Sequence, residues 1–171
     1  MSSSKPIIIL GDANVLIDYI KANEKLLSEA CSVIFEIYVP IPVLREIKQL
    51  TEVKAKRLGL KLYEPSTEQL TEPLSDSLRL SFEDKLCLRI ASDNGWICAT
   101  NDKVLKKECE RFNVSTMWGL EIMLILNKKG VLSKKEATKT AQAILKENKR
   151  LGESVVRDFI KKLKLYTAYS W

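Results

Sequence analysis

Residues 5–16 read Lys-Pro-Ile-Ile-Ile-Leu-Gly-Asp-Ala-Asn-Val-Leu, and this stretch decides the fold. The apolar, β-branched run Lys5–Leu10 is typical of a strand buried on both faces of a sheet. The run stops at Gly11, and an apolar pattern with helical spacing begins at Val15. The stretch therefore predicts a buried strand, a tight turn carrying Asp12, and a helix.

The same order recurs along the chain. Further strands are predicted at Val33–Val39, Leu60–Tyr63, Trp96–Thr100 and Val114–Met117. Further helices are predicted from Pro42 through Leu50, over Ser81–Asn94, from Asn101 to about Arg111, and over Trp118–Asn127, Ser133–Asn148 and Ser154–Lys164. Strands that alternate with helices predict an α/β three-layer sandwich with a central, mostly parallel, twisted sheet.

The length and the charge distribution predict one domain with an appended segment. The chain has 171 residues and a formal net charge of +6. Residues 127–171 hold twelve Lys and Arg against four Asp and Glu. We therefore expect a body over residues 1–127 and a basic helical C-terminal extension of the same domain over 128–171. A basic segment attracts phosphates, although a solvated lysine-rich helix surface gives the same pattern.

The composition excludes several kinds of chemistry and predicts a compartment. The sequence contains no histidine, which removes Ser-His-Asp and Cys-His catalysis and every histidine metal site. Its four cysteines form no CxxC pair, so a zinc ribbon is excluded and packed, reduced thiols are expected. No apolar run approaches the ~20 residues that span a bilayer. The N-terminus lacks the apolar core of a signal peptide, so no membrane contact and a cytoplasmic location are expected.

Four acidic residues follow successive strands or head a helix that leads into one. They are Asp12, Glu46, Asp84 and Asp102. Each has an ordinary structural interpretation: Asp12 and Asp102 as helix N-caps, Asp84 as a first-turn carboxylate, and Glu46 as an exposed side chain. Taken together, they would meet at one edge of a parallel sheet and repel one another. A divalent cation removes that repulsion, and oxygen ligands alone suit Mg²⁺ or Mn²⁺. Such a site suits phosphodiester hydrolysis.

These residues lie in four motifs that resemble the PIN-domain family of metal-dependent nucleases. The motifs are Ile7–Asp18, Pro42–Ile47, Leu80–Ala91 and Ile97–Leu105, and the resemblance covers about residues 6–145. It implies that Asp12, Glu46, Asp84 and Asp102 line one acidic pocket holding Mg²⁺ or Mn²⁺. It also implies that Asn14 and Thr100 support the pocket by hydrogen bonds. Glu83 adjoins Asp84 and is the alternative ligand; Asp18 is expected to be peripheral.

The resemblance implies a PIN-like fold and endonucleolytic cleavage of single-stranded or structured RNA. Many members of the family are toxins neutralised by a cognate antitoxin, and many form homodimers, so it implies both kinds of partner. A non-catalytic PIN-like module that binds RNA or a protein is the main alternative. A carboxylate-based phosphohydrolase of small substrates is a weaker one, because Asn14 interrupts the DxD pattern of aspartyl-phosphate enzymes. Trp118 is expected in the core. Tyr166, Tyr169 and Trp171 are expected to pack against the body, with stacking on bases and docking of a partner as the alternatives.

Overall fold

The computed structural model describes residues 4–165, so the aromatic residues of the C-terminus lie outside the described residues. The described chain is α/β, with one all-parallel sheet between helices and a C-terminal helical extension. The strands are β1 (Ile7–Leu10), β2 (Glu36–Pro40), β3 (Lys61–Tyr63), β4 (Ile97–Ala99) and β5 (Thr116–Met117). All five predicted strands are confirmed, with ends that differ by a few residues.

The helices alternate with these strands as predicted. They are α1 (Ala13–Asn23), α2 (Lys25–Val33), α3 (Ile41–Glu46), α4 (Glu52–Leu58), α5 (Thr67–Thr71), α6 (Phe82–Asn94), α7 (Lys103–Arg111), α8 (Glu121–Lys128), α9 (Lys134–Glu147) and α10 (Glu153–Leu165), with a 3₁₀ turn at Lys149–Leu151. The capping boxes at Ser81 and Ser133 confirm the predicted starts of α6 and α9. None of the described helices is long and apolar enough to cross a bilayer.

Strand β1 lies at the centre of the sheet, whose order is β3-β2-β1-β4-β5. Ile8 of β1 pairs with Ile37 on one side and Ile97 on the other. Ile8, Ile9 and Leu10 are fully buried, as the apolar run predicts. Because the winding reverses at β1, a crevice opens at its carboxyl end, where open α/β sheets bind ligands.

The prediction of one helix from Pro42 through Leu50 was wrong. Helix α3 ends at Glu46, Ile47 adopts extended backbone, and a separate helix α4 follows. Leu44, Ile47 and Leu50 are nevertheless all buried. The spacing of these residues predicts their burial correctly. It does not predict a continuous helix, because three apolar positions are equally compatible with a helix that ends and a following loop that packs on the core. Helix α8 begins at Glu121, three residues after its predicted start at Trp118. Helices α2 and α5 occupy stretches in which no element was predicted.

The C-terminal extension shares the hydrophobic core of the body. Ala137, Ala141 and Ile144 of α9 are buried, and α9 packs against α1. Phe159 of α10 is also buried in the same cluster. The basic segment is thus fixed to the body, and the loop between α9 and α10 reaches the crevice at β1.

Candidate functional site

Asp12 lies at the carboxyl end of β1 and begins α1. One carboxylate oxygen, Oδ1, accepts a hydrogen bond from the backbone N–H of Asn14 at 2.8 Å, so the N-cap interpretation is confirmed. The residue before it, Gly11, lies so close to Cys98 that an added Cβ would overlap the Cys98 Sγ atom. The backbone therefore reaches Asp12 through a position that only glycine fills without displacing its neighbours.

Asp102 repeats this arrangement after β4. Its Oδ1 accepts hydrogen bonds from the N–H groups of Val104 at 2.7 Å and Leu105 at 3.3 Å, which begins α7. Its own N–H donates to Oγ1 of the buried Thr100 at 2.9 Å. Its second oxygen makes no hydrogen bond within residues 4–165. Thr100 thus fixes the backbone of Asp102 by a hydrogen bond.

Asp84 lies in the first turn of α6 and closes a capping box with Ser81. Its Oδ2 accepts the Ser81 N–H at 3.0 Å, and Ser81 Oγ accepts the Asp84 N–H at 3.1 Å. Three of the four predicted site residues therefore each begin a helix. Capping does not exclude a second role, because a carboxylate has about four acceptor positions and a cap uses one or two.

Glu46 is exposed at the last residue of α3 and approaches the site through Glu83 and Asp84. Desolvation, then the charge of Glu83 and a hydrogen bond to it, raise the pKa of Glu46. Asp84 raises it further. The structure thus places Glu83 beside Glu46, which keeps Glu83 open as an alternative to Asp84.

The carboxylates at the sheet edge act on one another electrostatically. Burial raises the pKa of Asp12 most, the charges of Asp84 and Asp102 raise it further, and hydrogen bonds from Asn14 oppose this. Burial likewise raises the pKa of Asp84, opposed by Ser81 and assisted by Asp102 and Glu83. None of the four predicted site residues forms a salt bridge within the described part of the chain. The fold therefore gathers negative charge here without a fixed cationic partner.

A cavity of about 310 Å³ opens over Asp12 and Asp102. Asn14 also lines it, as does Lys103 beside Asp102. The opposite wall comes from the loop between α9 and α10, and it is formed by Asn148, Arg150, Leu151 and Gly152. Asp84, Glu46 and Thr100 do not line this cavity, so the structure brings Asp12 and Asp102 together in it and leaves the other two acids beside it.

Sequence reasoning did not find the contact that fixes the loop wall of this cavity to α1. Asp18 does not line the cavity, as expected of a peripheral residue, but it is buried, with 7% of its surface exposed. Its two oxygens accept hydrogen bonds from Asn148 Nδ2 at 3.0 and 3.3 Å. Burial raises its pKa to about 6, Asn148 lowers it, and the charge of Asp12 raises it. No local signal in the sequence joins residues that lie 130 positions apart.

The chemistry of the donor set fits Mg²⁺ or Mn²⁺, since every ligand offered is a carboxylate oxygen. As arranged, however, no three Asp, Glu or Cys side chains within residues 4–165 are grouped to hold a metal ion. Asp12, Asp84 and Asp102 each turn one oxygen towards backbone N–H groups of their own turn. The carboxylates of these acids thus lie near one another, but their oxygens do not point to one common metal position.

Comparison of the chain with protein-family models, with curated proteins and with solved structures gives no significant match.

Proposed function

We propose that this chain is a divalent-metal-dependent endoribonuclease that cleaves RNA phosphodiester bonds at its carboxylate site. One observation carries the proposal: Asp12, Asp84 and Asp102 come from separate elements, lie close enough to raise carboxyl pKa values, and form no salt bridge with described residues. Repulsion between carboxylates lowers the stability of the fold, and a bound divalent cation offsets it. The acidic motifs that resemble PIN-domain nucleases support the same interpretation.

Asp12, Asp84 and Asp102 would hold the metal, with Glu46 or Glu83 completing the set. A bound Mg²⁺ or Mn²⁺ supplies an activated water and stabilises negative charge on phosphorus oxygens. Thr100 fixes the loop that presents Asp102, and Asn14 offers Asp12 its backbone N–H. Lys103 and Arg150, across the same cavity, would bind the substrate phosphate.

The test is cleavage of a labelled RNA by highly purified protein with Mg²⁺ or Mn²⁺, with and without excess EDTA. We expect cleavage only with the metal, and a loss of at least ~100-fold in Asp12→Asn and Asp102→Asn. Asp76→Asn is the matched control, because Asp76 is an exposed aspartate that lines none of the cavities described here. Cleavage that survives EDTA would contradict a metal-dependent site, and cleavage that survives Asp12→Asn would exclude Asp12 from that site.

The second candidate is a PIN-like module that binds RNA or a protein without turnover. The absence of a ready-made metal cluster among the described residues favours it. Calorimetry separates the two proposals: Mn²⁺ should bind the wild type and not Asp12→Asn. RNA binding without Mn²⁺ binding or cleavage would establish the module.

A toxin with a cognate antitoxin, acting as a homodimer, is the narrower form of the first proposal. Expression of the chain should then arrest growth, and Asp12→Asn should relieve the arrest. Sedimentation of the purified protein tests the homodimer.

A further inference from the structure

A second cavity adjoins the carboxylate cavity and shares Lys103 with it. Its volume is about 380 Å³, at the small end of the ~300–1,000 Å³ typical of small-ligand sites. It lies between the starts of α7 and α8 and the exposed side of α10, and the residues that line it are Lys103, Trp118, Leu120, Glu121, Ser154, Val155, Asp158, Phe159, Lys161, Lys162 and Leu165. Nothing in the proposed cleavage reaction uses this space.

The cavity has an aromatic and aliphatic wall beside a charged rim. Trp118 is half-buried, which differs from its expected place in the core, and Phe159 is buried beside Val155. The Lys106 ammonium lies 4.2 Å from the centroid of the Trp118 ring. Lys106 does not line the cavity, so it leaves the cavity side of the indole open. An open aromatic ring beside cations is the usual platform for stacking a nucleobase.

The polar groups of the rim divide into paired and available ones. Glu121 pairs with Lys162 at 3.3 Å and accepts a hydrogen bond from the backbone N–H of Trp118 at 3.1 Å, so its charge is compensated. Ser154 and Asp158 carry no hydrogen bond or salt bridge from another described side chain. Acceptors of this kind suit the amino groups on a base edge.

We propose that the cavity beside Trp118 binds one unpaired nucleobase while the adjoining carboxylate cavity receives the phosphate attached to it. This inference rests on the proposed function for the role of the phosphate. Lys103 lies between the two cavities, where it contacts the backbone that joins base and phosphate. A base held in a duplex cannot enter, because its edge is paired and its faces are stacked. A peptide would satisfy the apolar wall but would leave Lys103 and Arg150 facing the carboxylates without an anion between them.

The test measures binding by the full chain in EDTA, so that it does not depend on cleavage. The probes are a short labelled single-stranded RNA of mixed sequence and its duplex, followed by fluorescence anisotropy. We expect the single strand to bind more tightly than the duplex, and Trp118→Ala to weaken single-strand binding about tenfold. Trp96→Ala is the control, because Trp96 stacks on Tyr38 away from both cavities and should leave RNA binding unchanged.

A second readout covers the case in which Trp118→Ala does not fold. Single-stranded RNA should quench indole fluorescence in Trp171→Phe and in the Trp96→Phe, Trp171→Phe double variant, and the quenching should disappear in the Trp118→Phe, Trp171→Phe double variant. Equal binding of single strand and duplex, or quenching that persists in the Trp118→Phe, Trp171→Phe double variant, would overturn the base pocket. Since neither readout needs turnover, the base pocket can fail while metal-dependent cleavage stands, and the reverse.

Discussion

The side-chain amide of Asn148 donates hydrogen bonds to both carboxylate oxygens of Asp18, at 3.0 and 3.3 Å. This contact fastens the loop of the C-terminal extension to helix α1 of the body. Asn148 Oδ1 also accepts the Arg150 N–H at 3.2 Å, which shapes the 3₁₀ turn. One side chain therefore links a buried acid to the wall that presents Arg150 to the carboxylate cavity.

The Asp18 contact predicts an unusual dependence of stability on pH. Burial raises the pKa of Asp18 from 3.8 to about 6 in the folded protein. Between these values the folded state binds a proton that the unfolded state has lost, so this group's contribution to the free energy of unfolding falls as pH rises, by about 3 kcal/mol at most. Above about 6 it changes no further. Urea unfolding of Asp18→Asn should lack this fall, whereas the exposed Asp76→Asn should keep it; identical profiles for Asp18→Asn and the wild type would contradict the assignment.

Arg150 should act on substrate binding and not on stability. Its side chain is exposed and lines the cavity with Asp12 and Asp102. We expect Arg150→Gln to raise the KM for RNA about tenfold and to lower the salt dependence of binding by about one ion. Lys149→Gln is the control, because Lys149 lies in the same turn but outside that cavity. An equal effect of both variants would point to general charge and not to a phosphate contact.

Asp12 has a capping role and a proposed chemical role, and two substitutions separate them. Asparagine caps helices about as well as aspartate, so Asp12→Asn should keep the wild-type stability and lose cleavage. Asp12→Ala also loses the acceptor for the Asn14 N–H and should cost about 1 kcal/mol of unfolding free energy. Circular dichroism melts and the RNA assay on the same samples measure both effects. Retained cleavage in either variant would exclude Asp12 from the site.

The contact between Glu46 and Glu83 predicts a change in the pKa of Glu46 that carbon NMR can measure directly. The charge of Glu83 and a hydrogen bond to it raise the pKa of Glu46. Glu83→Gln should therefore lower the pKa of Glu46, and a titration followed at the Glu46 carboxyl carbon measures the change. Glu72→Gln is the control, because Glu72 is an exposed glutamate that directly follows α5. A Glu46 titration curve that does not move in Glu83→Gln would show that the two side chains are independent.

Gly11 should not tolerate a side chain. The Cβ of Gly11→Ala would overlap Cys98 Sγ and come within 3.2 Å of Leu105. We expect a loss of about 1–3 kcal/mol of stability, as in other overpacked cores. Cys98→Ala removes the colliding sulfur, so the double variant should recover part of that loss in a double-mutant cycle. Strict additivity of the two changes would contradict the contact.

Local patterns were enough to predict the five strands, the starts of α6 and α9, and the positions of Asp12 and Asp102 after strands. Each of these signals lies within a few neighbouring residues, as in the apolar run Ile7–Leu10 and the capping boxes at Ser81 and Ser133. The break after Glu46 was not predictable, because apolar spacing reports burial and leaves backbone direction open. The contact between Asn148 and Asp18 was not predictable for a different reason. The two residues are distant in sequence, and only the packing of α9 on α1 brings them together. Metal binding by these acids stays a prediction, which the Mn²⁺ calorimetry described above tests.

The two border strands of the sheet are very short, with three residues in β3 and two in β5. So few unpaired amide and carbonyl groups give a neighbouring molecule little on which to extend the sheet. The protein is thereby protected against ribbon-like aggregation along its rims. A second copy is therefore expected to dock through helices or loops and not by adding a strand to the sheet.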